Sequence, residues 1–125
     1  MKNAIFSRIM GIVFGLSILA STITTGAAGV PVVETLQPSS IGETVATFKG
    51  HETQGRTSDV IVWFEYGKTK NLGWSVGQKH YNWPQSQDTD FTFTVTTLEK
   101  NTTYFYRAVA KNDIGIAYGQ IIQFT

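Results

Sequence analysis

The stretch Leu98-Glu99-Lys100-Asn101-Thr102-Thr103-Tyr104-Phe105-Tyr106-Arg107-Ala108-Val109-Ala110-Lys111 reads as a tight corner followed by a central β-strand. A strand sends alternate side chains to opposite faces, so Tyr104, Tyr106, Ala108 and Ala110 share one face. Phe105, Arg107, Val109 and Lys111 share the other. Small alanines beside large aromatics suit a core face that a second sheet approaches closely.

The strands around it are short and separated by turn residues. Val30 to Glu34 reads as a first strand, with Pro31 at its start because proline cannot donate to a ladder. Gln37-Pro38-Ser39-Ser40 reads as a turn. Glu43 to Lys49 alternates, with Ala46 and Phe48 inward, and Gly50 to Ser58 reads as a polar loop. Asp59 to Tyr66 is the most apolar strand, with Val62, Phe64 and Tyr66 inward and Ile61, Trp63 and Glu65 outward. Lys68 to Gln87 reads as irregular, with a short strand near Trp74-Ser75-Val76. Asp90 to Thr96 alternates, with Phe91, Phe93 and Val95 inward. Asn112-Asp113-Ile114-Gly115 is a hairpin-type turn. The last strand runs from about Ile116 to Thr125, with Ile122 and Phe124 inward and Gly119 a candidate bulge. About seven strands and no helical periodicity after the N-terminal segment give an all-β sandwich.

The N-terminal segment reads differently. Lys2 and Arg8 precede the apolar run Ile9 to Ala20, and small residues follow up to Ala28. This is the pattern of a secretory signal peptide over residues 1–28, cut after Ala28, with one domain over residues 29–125. The alternative is an uncleaved membrane anchor. The run is short against the roughly 20 residues of a span, although the Thr-rich continuation lengthens it.

The 125 residues carry ten Lys and Arg against nine Asp and Glu, and no Cys. Two of those basic residues lie in the N-terminal segment. The remainder is near neutral and offers no electrostatic footprint for nucleic acid or an anionic membrane. No disulfide can hold an exported domain of this composition, so its core must. No catalytic constellation is recognisable. His51 and His80 fall in separate loops, and Gly-x-Ser-x-Gly and phosphate-loop motifs are missing. Asp88 and Asp90 are too few for a calcium loop. No enzyme activity, cofactor or metal is expected.

Leu98 to Arg107 resembles the fibronectin type III signature, in which Leu-x-Pro-Gly/Asn-Thr-x-Tyr leads into a strand beginning Tyr-x-hydrophobic-Arg. Lys100 stands where that family often has Pro. Phe64-Glu65-Tyr66-Gly67 resembles the third strand of the same family, particularly its prokaryotic surface-protein branch, and Tyr118-Gly119 through Thr125 resembles its final hairpin. The resemblance spans about Val30 to Thr125 and implies an immunoglobulin-like, seven-stranded β-sandwich. The usual core Trp of the second strand is missing, and Phe48 is the candidate substitute. The resemblance makes Tyr104 a tyrosine corner, with its hydroxyl bonded back to nearby backbone and Leu98, Phe64 and Tyr66 structural around it. Asn101-Thr102-Thr103 supplies the turn chemistry and also matches a glycosylation sequon.

The parity that buries Phe64 and Tyr106 turns Trp63 and Phe105 outward, beside Ile61 and Val109. Such an apolar patch is a candidate partner-binding face. Basic stems, Arg107 among them, are the competing cover for it. Trp74, Tyr81 and Trp83 are candidates to extend it. The expected function is a secreted or cell-surface binding or adhesion module, with a protein partner or a second copy of the chain. A polysaccharide stacked on Trp74, Tyr81 and Trp83 is one alternative, and a structural spacer is another.

Overall fold

The computed structural model describes residues 29–53, 59–82 and 88–125. The expected signal peptide, residues 1–28, and Trp83 lie outside the described residues. Eight strands follow in order: β1 (Val32–Ser39), β2 (Ala46–Thr53), β3 (Val60–Gly67), β4 (Trp74–Tyr81), β5 (Thr89–Val95), β6 (Tyr104–Lys111), β7 (Ile116–Tyr118) and β8 (Ile122–Phe124). One sheet has the order β1-β2-β5. The other has the order β4-β3-β6, with β7 and β8 both on the far edge of β6. Every pairing is antiparallel. The two sheets enclose one core, the all-β sandwich that the alternating pattern implies.

The alternation is realised where both faces have neighbours. Ala46, Phe48, Val62, Phe64, Phe91, Val95 and Phe124 are buried, as are Tyr104, Tyr106, Ala108 and Ala110 on β6. Phe48 takes the centre. Its ring stacks on Tyr106 at 4.3 Å and meets Phe64, Tyr66 and Phe124 at 5.8, 5.4 and 5.8 Å. A phenylalanine on β2 thus occupies the centre of the core.

The tyrosine corner is present. Tyr104 is 4% exposed, and its hydroxyl accepts the Glu99 amide at 3.0 Å. Asn101 turns the chain at φ 56°, a left-handed conformation that Asn tolerates. Thr102 Oγ1 donates to the Lys100 carbonyl. Tyr104→Phe is expected to lower unfolding stability by about 1 kcal/mol, because the Glu99 amide loses its acceptor. Urea denaturation reads this out, and an unchanged midpoint would remove the corner from the account of stability.

Tyr106 makes a second tie that periodicity alone does not reveal. Its hydroxyl donates to the Leu36 carbonyl and lies 3.5 Å from the Lys49 amide, so a β6 side chain bridges to β1 and β2 of the facing sheet. Burial pushes its phenol up to about 12.

Five sequence expectations are corrected. First, β1 runs on through Gln37 and Pro38 to Ser39, in place of the expected turn. Pro38 falls in a register irregularity between Leu36 and Ser39, which accommodates its missing N–H. Second, β2 continues through Gly50 to Thr53. Gly50 serves close packing rather than a turn. A Cβ there would lie 2.7 Å from Phe91 Cζ and 2.9 Å from Ala108 Cβ. Third, the irregular segment holds a full strand, β4, whose polar composition follows from its edge position. It is bulged at Gly77, φ 73°, opposite Trp63.

Fourth, Phe93 has inward parity but is 36% exposed, because it sits on an edge strand over Gly77, which offers no side chain to cover it. Fifth, the single last strand is two, β7 and β8, interrupted at Gly119 to Ile121. Here β1 comes close. A Cβ on Gly119 would lie 2.8 Å from the Thr35 amide nitrogen. The Gly119 amide donates to the Ala108 carbonyl, while the Ala108 amide donates to Thr35 Oγ1 at 2.9 Å. Gln120 clasps the Thr35 backbone through both its amide atoms.

Candidate functional site

Burial of Val60, Val62 and Phe64 obliges Ile61, Trp63 and Glu65 to face outward from the larger sheet. On β6 the same parity turns out Phe105, Arg107 and Val109. The registers set the neighbours. Trp63 opposes Val109, Glu65 opposes Arg107, and Gly67 opposes Phe105. The hairpin turn fixes β7 next. Asn112 bonds the amides of Ile114 and Gly115 through its side-chain oxygen, and its own amide donates to the Gly115 carbonyl. That turn places Ile116 opposite Lys111 and Tyr118 opposite Val109.

One connected row results. Arg107 Nε and Nη2 lie 2.9 and 2.8 Å from Glu65 Oε1. Trp63 Nε1 donates to Glu65 Oε2 at 3.4 Å. The Arg107 guanidinium lies 4.1 Å above the centre of the Tyr118 ring, a cation–π contact. Glu65 and Arg107 are 23% and 27% exposed, so this pair is more desolvated than an ordinary surface ion pair. Val109 is fully buried between its cross-strand neighbours. Beside the row, a depression of about 420 Å³ is lined by Ile61, Trp63, Glu65, Gln78 and Lys111 among others.

Trp63 and Phe105 therefore share a face, but the Glu65 and Arg107 rank separates them. The face is aromatic and ionic rather than a continuous apolar patch. Arg107 does cover part of it, over Tyr118. Tyr118 and Glu65 are additions to the candidates that the sequence supplies. The hairpin at Asn112 to Gly115 holds the signal that leads to Tyr118, since its register carries directly into β7.

Trp74 and Tyr81 do not join this face. Trp74 pairs with Tyr66, and Tyr81 with Val60, so both have the parity of the core side. They stand at opposite ends of β4, about 20 Å apart at strand spacing. Trp74 is 51% exposed with its ring 5.2 Å from that of Tyr66. Tyr81 packs against the core, and burial, helped by Glu52, raises its phenol pKa. No single row of Trp74, Tyr81 and Trp83 can be drawn from the described residues.

His51 and His80, expected in loops, lie on β2 and β4, where each pairs locally. His51 Nδ1 lies 2.6 Å from Asp90 Oδ1 across β2 and β5, on an exposed part of the surface. His80 Nε2 lies 3.4 Å from Asp59 Oδ2. Among the described residues no three of His, Cys, Asp or Glu group closely enough to hold a metal ion. Among the same residues no helix is long and apolar enough to cross a membrane.

No protein-family model matches the sequence, and no curated protein does. Solved structures do match the fold. The sensor domain of the anti-sigma factor RsgI4 of Pseudobacteroides cellulosolvens is similar with a TM-score of 0.58 at 16% identity, covering 80% of this chain and 96% of that one. The fibronectin type III domain of human fibronectin type III domain containing protein 3 is similar with a TM-score of 0.53 at 22% identity, covering 82% and 90%.

Proposed function

We propose that this chain, whose fold is fibronectin type III-like, is a non-enzymatic, exported binding module that contacts a partner protein through the outer face of its larger sheet. The fold fits a binding or structural module. The signal-like residues 1–28 support export to the medium or the cell surface, with residues 29–125 as the working domain.

One observation carries the choice of face: Trp63, Glu65, Arg107 and Tyr118 form a single bonded row. Trp, Tyr and Arg dominate the energetic centres of protein interfaces. Here the three are held in place before any partner arrives, which reduces the ordering cost of association. Tyr118 and Ile116 remain 49% and 41% exposed at the margin of the row.

Photo-crosslinking in the producing cell tests the reading. p-Benzoylphenylalanine in place of Tyr118 should crosslink to a protein, whereas the same group in place of Thr92, on the outer face of the smaller sheet, should not. Trp63→Ala should reduce the Tyr118 crosslink at least tenfold. A product containing two copies of this chain would make self-association the use of the face, and a foreign protein would make it a heterologous contact. No crosslink from position 118, or an equal one from position 92, would overturn the proposal.

A further inference from the structure

A second surface stands at one end of the sandwich, on the core side of the sheet and away from the Trp63 row. Trp74 has the most exposed aromatic ring among the described residues, and Tyr66 supports it. A depression of about 350 Å³ adjoins the two rings. Buried Leu98 and Tyr104 contribute its apolar base, while exposed Lys68, Thr97 and Glu99 contribute its polar margin. Lys68 Nζ lies 2.8 Å from Glu99 Oε1, so a donor and an acceptor stand side by side with no net charge. Burial, then the neighbouring Tyr104, raises the Tyr66 phenol pKa, which keeps this ring neutral as well.

We propose that this depression is a subsite for a neutral pyranoside, with Trp74 stacked on the C–H face of the ring and Lys68 and Glu99 bonding adjacent hydroxyls. An equatorial hydroxyl pattern leaves a pyranose with flat apolar faces and a polar rim. The depression has the complementary form, an aromatic wall and a rim of paired donor and acceptor. Its neutrality disfavours acidic sugars and phosphates, which would require an uncompensated cation. The exposed ion pair contributes little to folding and is free to re-pair with hydroxyls. The volume lies at the small end of ligand clefts, about 300 Å³ upward, which suits one ring of a chain that continues into solvent.

Titration of the ¹⁵N-labelled protein with cellotetraose, read at the tryptophan indole N–H resonances, tests the site. The Trp74 signal should shift and saturate with a Kd of about 1 mM. Trp74→Ala and Glu99→Ala should each weaken binding at least tenfold, and Trp63→Ala should leave it unchanged. Glu99 is exposed, so Glu99→Ala decides the matter even if Trp74→Ala impairs folding. No saturating shift at Trp74, a shift confined to Trp63, or binding that survives Glu99→Ala would overturn the assignment, and none of these results bears on the Trp63 face.

Discussion

Phe48→Ala should cost about 3–5 kcal/mol of unfolding free energy, the range for removing a buried aromatic ring. The ring is fully buried and belongs to β2, yet Phe64, Tyr66, Tyr106 and Phe124, the rings that meet it, all belong to the other sheet. Tyr106 stacks on it with the planes 13° apart, Phe64 and Phe124 meet it edge-on, and Tyr66 is tilted against it. These partners come from three strands, β3, β6 and β8. Collapse of one strand into the gap cannot fill it, because each partner is also held by its own ladder. The cavity term should therefore persist beside the lost transfer term. Domains of this size are stable by only about 5–15 kcal/mol, so the variant should be near its unfolding limit at physiological temperature. With no disulfide available, no covalent link compensates. Guanidinium denaturation measures the loss. Phe48→Leu, which retains much of the volume, should lose less than half as much. Equal losses from Leu and Ala would mean that the ring contacts, not the volume, carry the centre of the core.

The parts of the fold that were legible in the sequence are those governed by alternation. Phe48, Phe64 and Tyr106 could be placed inward because a period of two leaves one consistent assignment along each central strand. Edges were less legible. β4 reads as irregular because it pairs on one side only and the bulge at Gly77 breaks its alternation. Phe93 obeys the alternation and is still partly exposed, since parity specifies direction and not what waits there. Gly50 and Gly119 carry the opposite lesson. Glycine is read as a turn or a bulge from sequence, but a close approach by another strand demands the same residue. The candidate site divides along these lines. Trp63 and Phe105 follow from parity. The bond that joins Glu65 to Arg107, and with it the two halves of the row, depends on register between β3 and β6, strands distant in sequence, which no local pattern contains.

The second large effect is expected where the sheets come closest. Gly50→Val should lower stability by about 3 kcal/mol through overpacking. Gly50 is paired with Thr35 on one side and Phe91 on the other, and Ala108 faces it from the second sheet. The Phe91 ring end can swing by a few tenths of an ångström. Ala108 cannot, since its Cβ is fixed to a backbone whose amide is bonded to Thr35 and whose carbonyl is bonded to Gly119. Relief therefore requires the sheets to part, which would lengthen the Thr35 bond as well. Gly50→Ala separates this account from a purely conformational one. The φ of Gly50 does not lie in the left-handed region. Were there no contact, alanine would restrict the unfolded chain and stabilise the fold by about 0.4–1 kcal/mol. A loss is expected instead, and Ala108→Gly in the same chain should recover part of it, with a coupling of about 0.5–3 kcal/mol. Thermal and urea unfolding of the two single variants and the double variant measure that coupling. Stabilisation by Gly50→Ala, or additive losses in the double variant, would show that the small residues of β2 and β6 do not set the spacing of the sandwich.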